Sequence, residues 1–221
     1  MTAKRDILME SFDRLLSHFG PRHWWPGETP FEVMVGAILT QNTNWKNVEQ
    51  AIANLKREGL FDRSGPKKML ALHPARLAML IRPAGYFRVK AARLRHFLKF
   101  FIEHYDGDVA QMREQPMHTM REELLSVKGI GPETADSILL YALEKPSFVV
   151  DAYTRRILSR HALCAEDESY DDLQAIFMDR LQLDAKLYNE YHALIVQTGK
   201  EFCRTTPRCE ECPLNGWNGK P

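Results

Sequence analysis

Apolar residues recur at helical spacing almost from one end of this chain to the other, and no stretch alternates as a strand would. Ile7, Leu8, Phe12, Leu15, Leu16 and Phe19 share one face. Phe31, Val35, Ile38 and Leu39 repeat the pattern, as do Leu94, Phe97, Leu98 and Phe101. Breakers such as Gly20-Pro21, Gly65-Pro66, His73-Pro74, Arg82-Pro83, Asp106-Gly107 and Gln115-Pro116 cut it into helices of ordinary length. Two starts are explicit. Thr29-Pro30-Phe31-Glu32 places a cap, an N1 proline and an N3 glutamate in order, and Ser169-Tyr170-Asp171-Asp172 caps a helix expected to reach about Leu181. The expectation is an all-α chain of about ten helices. A chain of 221 residues, 44% hydrophobic, can bury one core or two small ones.

Other readings come from what the sequence lacks. No apolar run is long enough to span a bilayer, and Met1-Thr2-Ala3-Lys4-Arg5-Asp6 is not the start of a signal peptide, so a cytoplasmic location is expected. Four cysteines do not suggest a disulfide scaffold. Nothing indicates oligomerisation, and a monomer is expected. The net charge of +1 hides an asymmetry. From Arg63 to Lys99 the charged residues are all basic, whereas Glu166 to Glu190 is mostly acidic. Opposed faces of this kind would orient a polyanion; equally, the basic helices could be ordinary solvated surface.

A hairpin tips that balance toward nucleic acid. In Leu124-Leu125-Ser126-Val127-Lys128-Gly129-Ile130-Gly131-Pro132-Glu133-Thr134-Ala135, two glycines one residue apart separate two helix-like runs. A turn so tight aims backbone N–H groups outward, and the helix expected over 134–143 adds a positive end that suits a phosphate. Further on, Phe148-Val149-Val150-Asp151-Ala152 sets an acid behind an apolar run, where it would open another helix. An isolated Asp there is usually just a cap.

Hairpin and aspartate together resemble the helix-hairpin-helix DNA glycosylases of the endonuclease III superfamily. Within it, Trp24-Trp25-Pro26, Gly36-Ala37-Ile38-Leu39-Thr40-Gln41-Asn42-Thr43, Ile81-Arg82-Pro83-Ala84-Gly85-Tyr86, Lys90-Ala91 and Tyr170-Asp171-Asp172-Leu173-Gln174 look like the 3-methyladenine DNA glycosylase III type. The resemblance implies two helical domains, a six-helix block over 29–144 and a second domain from 1–28 plus 145–221, with the active site in the groove between them. It implies double-stranded DNA with damaged bases as partner. Asp151 would be catalytic, since a carboxylate stabilises the sugar cation that develops as a glycosidic bond breaks. Trp25, Pro26, Trp45 and Glu133 would line the pocket for the flipped base, where aromatic walls suit a cationic alkylated purine. Gln41 would fill the gap left by the flipped nucleotide, and Lys128, Gly129 and Gly131 would dock phosphate.

The chain departs from the endonuclease III pattern twice. Where the strand-cutting branch has a Schiff-base lysine, two positions past the second hairpin glycine, Glu133 stands here. That implies a monofunctional enzyme leaving an abasic site. The C-terminal Cys203-x5-Cys209-x2-Cys212 resembles the loop that holds a [4Fe–4S] cluster, but no fourth cysteine follows. The expectation is a cluster on Cys164, Cys203, Cys209 and Cys212, with zinc on the same thiols or idle cysteines as alternatives. Two other functions stay open: a glycosylase for oxidised or mismatched pyrimidines, and a non-catalytic DNA-binding module. Arg155, Arg156 and Arg160 could touch DNA or pair with the acidic segment, while His161 and His192 read as satisfied structural histidines.

Overall fold

The computed structural model describes residues 6–22, 24 and 27–220. In chain order its helices are α1 (Ile7–Phe19), α2 (Pro30–Leu39), α3 (Trp45–Arg57), α4 (Gly65–Ala71), α5 (Pro74–Leu80), α6 (Phe87–Tyr105), α7 (Val109–Glu114), α8 (Met117–Ser126), α9 (Pro132–Ser137), α10 (Ala152–Arg160), α11 (Tyr170–Met178) and α12 (Ala185–Glu201). Short 3₁₀ turns lie at Arg82–Ala84 and Trp217–Gly219. Every regular element among the described residues is helical, as the periodicity requires. There are more helices than expected because a proline that stops one helix also starts the next. Pro66 and Pro74 sit in the first turns of α4 and α5, where a missing N–H costs nothing.

The chain divides into two compact units, Trp25–Lys145 and Met1–Trp24 with Pro146–Pro221. In the first, α2 is the central helix. Eight of its ten residues are buried, all but Glu32 of them without charge, and it packs on α3, α6 and α9. Its start is the expected one: Thr29 Oγ1 accepts from Glu32 N at 3.1 Å, with Pro30 at N1. Across from it, α6 presents Leu94, Phe97, Leu98 and Phe101, all fully buried; Phe101 stacks on Phe97 and Phe31 with ring centroids 5.6 and 5.9 Å apart. The helix after the hairpin begins at Pro132, two residues before the expected start. Over Ile138–Ala142 it widens into a π turn, with Leu143 N–H reaching the Ile138 carbonyl at 3.1 Å.

In the second unit α1 and α10 pack on α12. Phe148 stacks face to face on Phe177 at 3.8 Å and meets Tyr188 and Tyr191 edge-on. Tyr191 donates to Leu8 O at 2.8 Å, and Trp217 Nε1 donates to Ile7 O at 3.0 Å, so the C-terminal loop closes onto α1. α11 stops at Met178, short of Leu181, where Arg180 N–H reaches back three residues to the Phe177 carbonyl and tightens the last turn.

Candidate functional site

Asp151 is held from two directions in the Pro146–Pro221 part of its unit. The segment before it is extended, and α11 pins it there: Gln174 Nε2 donates to Phe148 O at 2.7 Å, and Val150 N–H donates to the Tyr170 hydroxyl at 3.3 Å. The motif Tyr170 to Gln174 thus fixes the backbone that leads into Asp151. Asp151 itself caps α10, its Oδ1 accepting from Thr154 N at 2.8 Å and Thr154 Oγ1 at 2.9 Å. Both cap bonds fall on Oδ1, which leaves Oδ2 of this candidate catalyst outside the cap. Oδ2 lies 3.7 Å from Nε2 of His192. Burial pushes the His192 imidazole below its ordinary value, and the Asp151 carboxylate only partly opposes this. A neutral imidazole beside the carboxylate leaves the negative charge of Asp151 uncompensated by a cation from that side.

Close helix packing fixes α10 in turn. A Cβ on Gly199 of α12 would sit 2.2 Å from Cδ1 of Tyr153, so only glycine admits the Tyr153 ring next to Asp151. The three arginines of α10 are internal braces. Arg155 donates to the Glu168 carbonyl, Arg156 to the carbonyls of Cys203 and Gly199, and Arg160 to those of Arg204 and Thr205. Of the two readings left open, DNA contact or pairing with the acidic segment, the described contacts show neither: these bonds go to backbone carbonyls. His161 is buried against Trp217 O at 3.1 Å, as a structural histidine should be.

In the other unit the hairpin has the expected form. Gly129 has φ +97°, Ile130 N–H closes on Val127 O at 3.0 Å, and Gly131 caps α9 with Pro132 at N1. Lys128 and Gly131 are exposed. Gly129 is required twice over, by its φ and because a Cβ there would fall 2.4 Å from Cγ of Arg93. Gln41 is tied to this hairpin: Nε2 donates to Gly129 O at 3.0 Å and Thr134 Oγ1 at 2.9 Å, while Oε1 accepts from Arg93 at 2.5 Å.

Glu133 is exposed in the first turn of α9, where a carboxylate suits the helix dipole. Trp45 opens α3 with its ring on Gly36, where a Cβ would lie 3.3 Å from Cη2. It lines a cavity of about 370 Å³ with Glu28, Glu32, Glu49 and Lys56. Trp25 and Pro26 lie outside the described residues.

Sequence reasoning took His192 for a structural histidine without its place beside Asp151, and it missed the contacts of Lys90 and Arg93. No local signal marks His192. Lys90 was counted as part of a basic face, yet it shares the stripe of Leu94, Phe97 and Phe101 and is 1% exposed, with Nζ bound to Leu39 O and Ala84 O. Much of the remaining basic run is likewise engaged. Lys67, Lys68 and Arg76 pair with Asp106, Asp62 and Glu58, and Arg95 donates to the Leu70 and Leu72 carbonyls.

Among the C-terminal cysteines, burial raises the Cys212 thiol, and its neighbours Cys203 and Cys209 add to the shift. Arg160 donates to Cys203 Sγ at 3.2 Å. Cys164 is half-buried near Arg155 and Glu168, its thiol raised chiefly by burial. Among the described residues no three Cys, His, Asp or Glu side chains close on a metal-sized site. As placed, the residues do not fit a four-thiolate group.

Residues 35–182 match the HhH-GPD superfamily of base excision DNA repair proteins. The chain belongs to that superfamily. This HhH-GPD protein is 48% identical over 213 residues to a Methanocaldococcus jannaschii protein with the provisional name DNA repair glycosylase, covering 96% of the chain and 95% of the relative. It is 28% identical to endonuclease III of Thermotoga maritima over 84% of the chain and 80% of the relative. Among solved structures, the 3-methyladenine DNA glycosylase of H. pylori bound to 1,N6-ethenoadenine is 32% identical, with TM-score 0.74, covering 89% of this chain and 98% of that one. A trapped endonuclease III–DNA covalent intermediate shares the fold at TM-score 0.79 and 22% identity, covering 96% and 94%. The HhH-GPD protein is thus a base excision DNA glycosylase. No helix among its described residues is long and apolar enough to cross a membrane.

Proposed function

We propose that this glycosylase releases alkylated purines, 3-methyladenine above all, from double-stranded DNA by hydrolysis, leaving an abasic site. The observation that carries the hydrolytic half is Glu133, an exposed carboxylate in the first turn of α9 where a Schiff-base lysine would have to stand. Lys90, the buried amine of the same unit, is committed to two carbonyls and is sealed from a sugar carbon. The substrate half is supported by the likeness to the H. pylori enzyme across nearly all of that chain.

In this reading the Lys128–Gly131 hairpin docks the phosphates beside the lesion, and Gln41 enters the gap in the duplex. Trp25, Pro26, Trp45 and Glu133 receive the flipped base. An alkylated purine carries positive charge, so aromatic faces and a carboxylate attract it, and its glycosidic bond is already weak. As the base leaves, Asp151 Oδ2 faces the developing sugar cation while Oδ1 keeps the carboxylate fixed on α10, so no reorganisation energy is spent. Water then adds to the sugar carbon and gives up one proton, so the cationic purine nucleotide yields a neutral free base and a neutral abasic sugar. Every step is carried by side chains, backbone and water, and the C-terminal Cys loop stays apart from the chemistry. Incubating duplexes that carry 3-methyladenine, 1,N6-ethenoadenine, thymine glycol, or uracil opposite guanine, and identifying the freed base, tests the substrate class. Release of pyrimidines alone would replace the reading with the oxidised or mismatched-base alternative.

A further inference from the structure

The face of α6 that carries Lys90, Arg93 and His96 touches three separate loops. Lys90 Nζ, fully buried, donates to Leu39 O at 2.8 Å and Ala84 O at 2.7 Å, joining the end of α2 to the turn before α6. One turn on, Arg93 grips the Gln41 carbonyl at 2.5 Å, and its alkyl stem lies against Gly129. Another turn on, His96 Nδ1 meets Lys128 O at 3.1 Å. The Gln41 amide is therefore locked at both ends. An arginine can only donate, so it fixes which end is the oxygen, and the amide nitrogen must then face Gly129 O and Thr134 Oγ1.

We infer that Arg93 is a positioning residue that acts through Gln41, coupling the phosphate-docking hairpin to the side chain that enters the gap beside the flipped base. This rests on the reading of Gln41 given above. A glutamine free to rotate would have to be ordered during each flipping event. Held between Arg93 and the hairpin, it arrives in one conformation, and a hairpin seated on phosphate carries it into place. Arg93 has no need to touch DNA.

The experiment is a double-mutant cycle with Arg93→Ala, Gln41→Ala and the pair, read in two ways. Single-turnover release of 3-methyladenine is measured from a normal duplex and from one with the lesion opposite an abasic gap, where pairing is already lost. Separately, 2-aminopurine placed beside the lesion brightens as the neighbouring base unstacks, and this signal needs no bond cleavage. Arg93→Ala is expected to slow release from the paired duplex roughly ten- to a hundredfold, the scale of one lost charge-assisted hydrogen bond. On the gapped duplex the rate should be nearly restored, and the double variant should be no slower than Gln41→Ala. The 2-aminopurine amplitude should fall in step. Equal slowing on both duplexes, additive losses, or a salt dependence of binding that drops by about one ion would overturn the inference. If the wild type frees no base while its 2-aminopurine signal still depends on Arg93, the substrate assignment fails and the coupling stands.

Discussion

Replacing Asp151 by Asn and by Ala separates its place as the cap of α10 from the catalytic role proposed for it. Asn keeps an oxygen for Thr154 N and Oγ1, so the cap of α10 should survive with stability changed by no more than a few tenths of a kcal/mol. Ala loses the cap and should cost about 1 kcal/mol. Catalytically both remove the charge. A unit charge about 4 Å from a developing cation, in a site of effective dielectric near 20, is worth about 4 kcal/mol. That is about three decades in rate. Because burial keeps His192 neutral, no neighbouring cation there dilutes the effect. Single-turnover base release and urea unfolding on the same preparations give both numbers. An Asn variant within tenfold of wild type would refute the electrostatic role. One as destabilised as the Ala variant would refute the division of labour between Oδ1 and Oδ2.

Gly199→Ala forces a Cβ into the Tyr153 ring and should cost about 1–3 kcal/mol and shift α10; thermal melting should show the loss, and a second change, Tyr153→Ala, should restore part of it. Lys90 titrates at about 8, lowered first by burial and then by Arg93. Its folded pKa is below the unfolded value, so between about pH 8 and 10.5 the unfolded chain holds the extra proton and stability rises with pH, by at most about 3 kcal/mol. In Lys90→Met that contribution disappears, and comparing urea midpoints of the two proteins at pH 8 and pH 10 checks it. Cys164→Ser should leave the iron, sulfide and zinc content of the purified protein unchanged, since among the described residues no three Cys, His, Asp or Glu side chains gather at one metal-sized site; a loss of metal would restore it as the fourth ligand. Gly129→Ala should weaken DNA binding, measured by fluorescence anisotropy, because φ +97° and Arg93 Cγ both reject a side chain.

What the sequence discloses is what local chemistry determines. Thr29, Asp151 and Ser169 are caps because an oxygen ahead of an apolar periodic run has one good use, and Gly129 marks a turn because only glycine is comfortable at its φ. Asp151 and the hairpin lie close enough in sequence to be read as one pattern. Lys90 was half legible, since its place on the apolar stripe of α6 argued against the surface. His192 was not legible, because forty residues of helix and loop separate it from Asp151 and only the packing of α10 on α12 joins them. The basic run misled for a related reason: composition counts charges but not their partners, and Lys67, Lys68, Arg76 and Arg95 are engaged within the unit. Cysteine spacing likewise suggested one metal site, yet among the described residues no three Cys, His, Asp or Glu side chains gather at one.

The most direct test of the central claim is the fate of one duplex carrying a single 3-methyladenine, incubated with the wild-type protein and divided three ways: neutral quench, hot alkali, and sodium borohydride. A hydrolytic enzyme with Glu133 in place of the Schiff-base lysine should free the base in all three, break the strand only after alkali, and form no borohydride-trapped protein–DNA adduct. Strand breaks at neutral pH together with a trapped adduct would contradict the account, and would mean that another amine attacks the sugar.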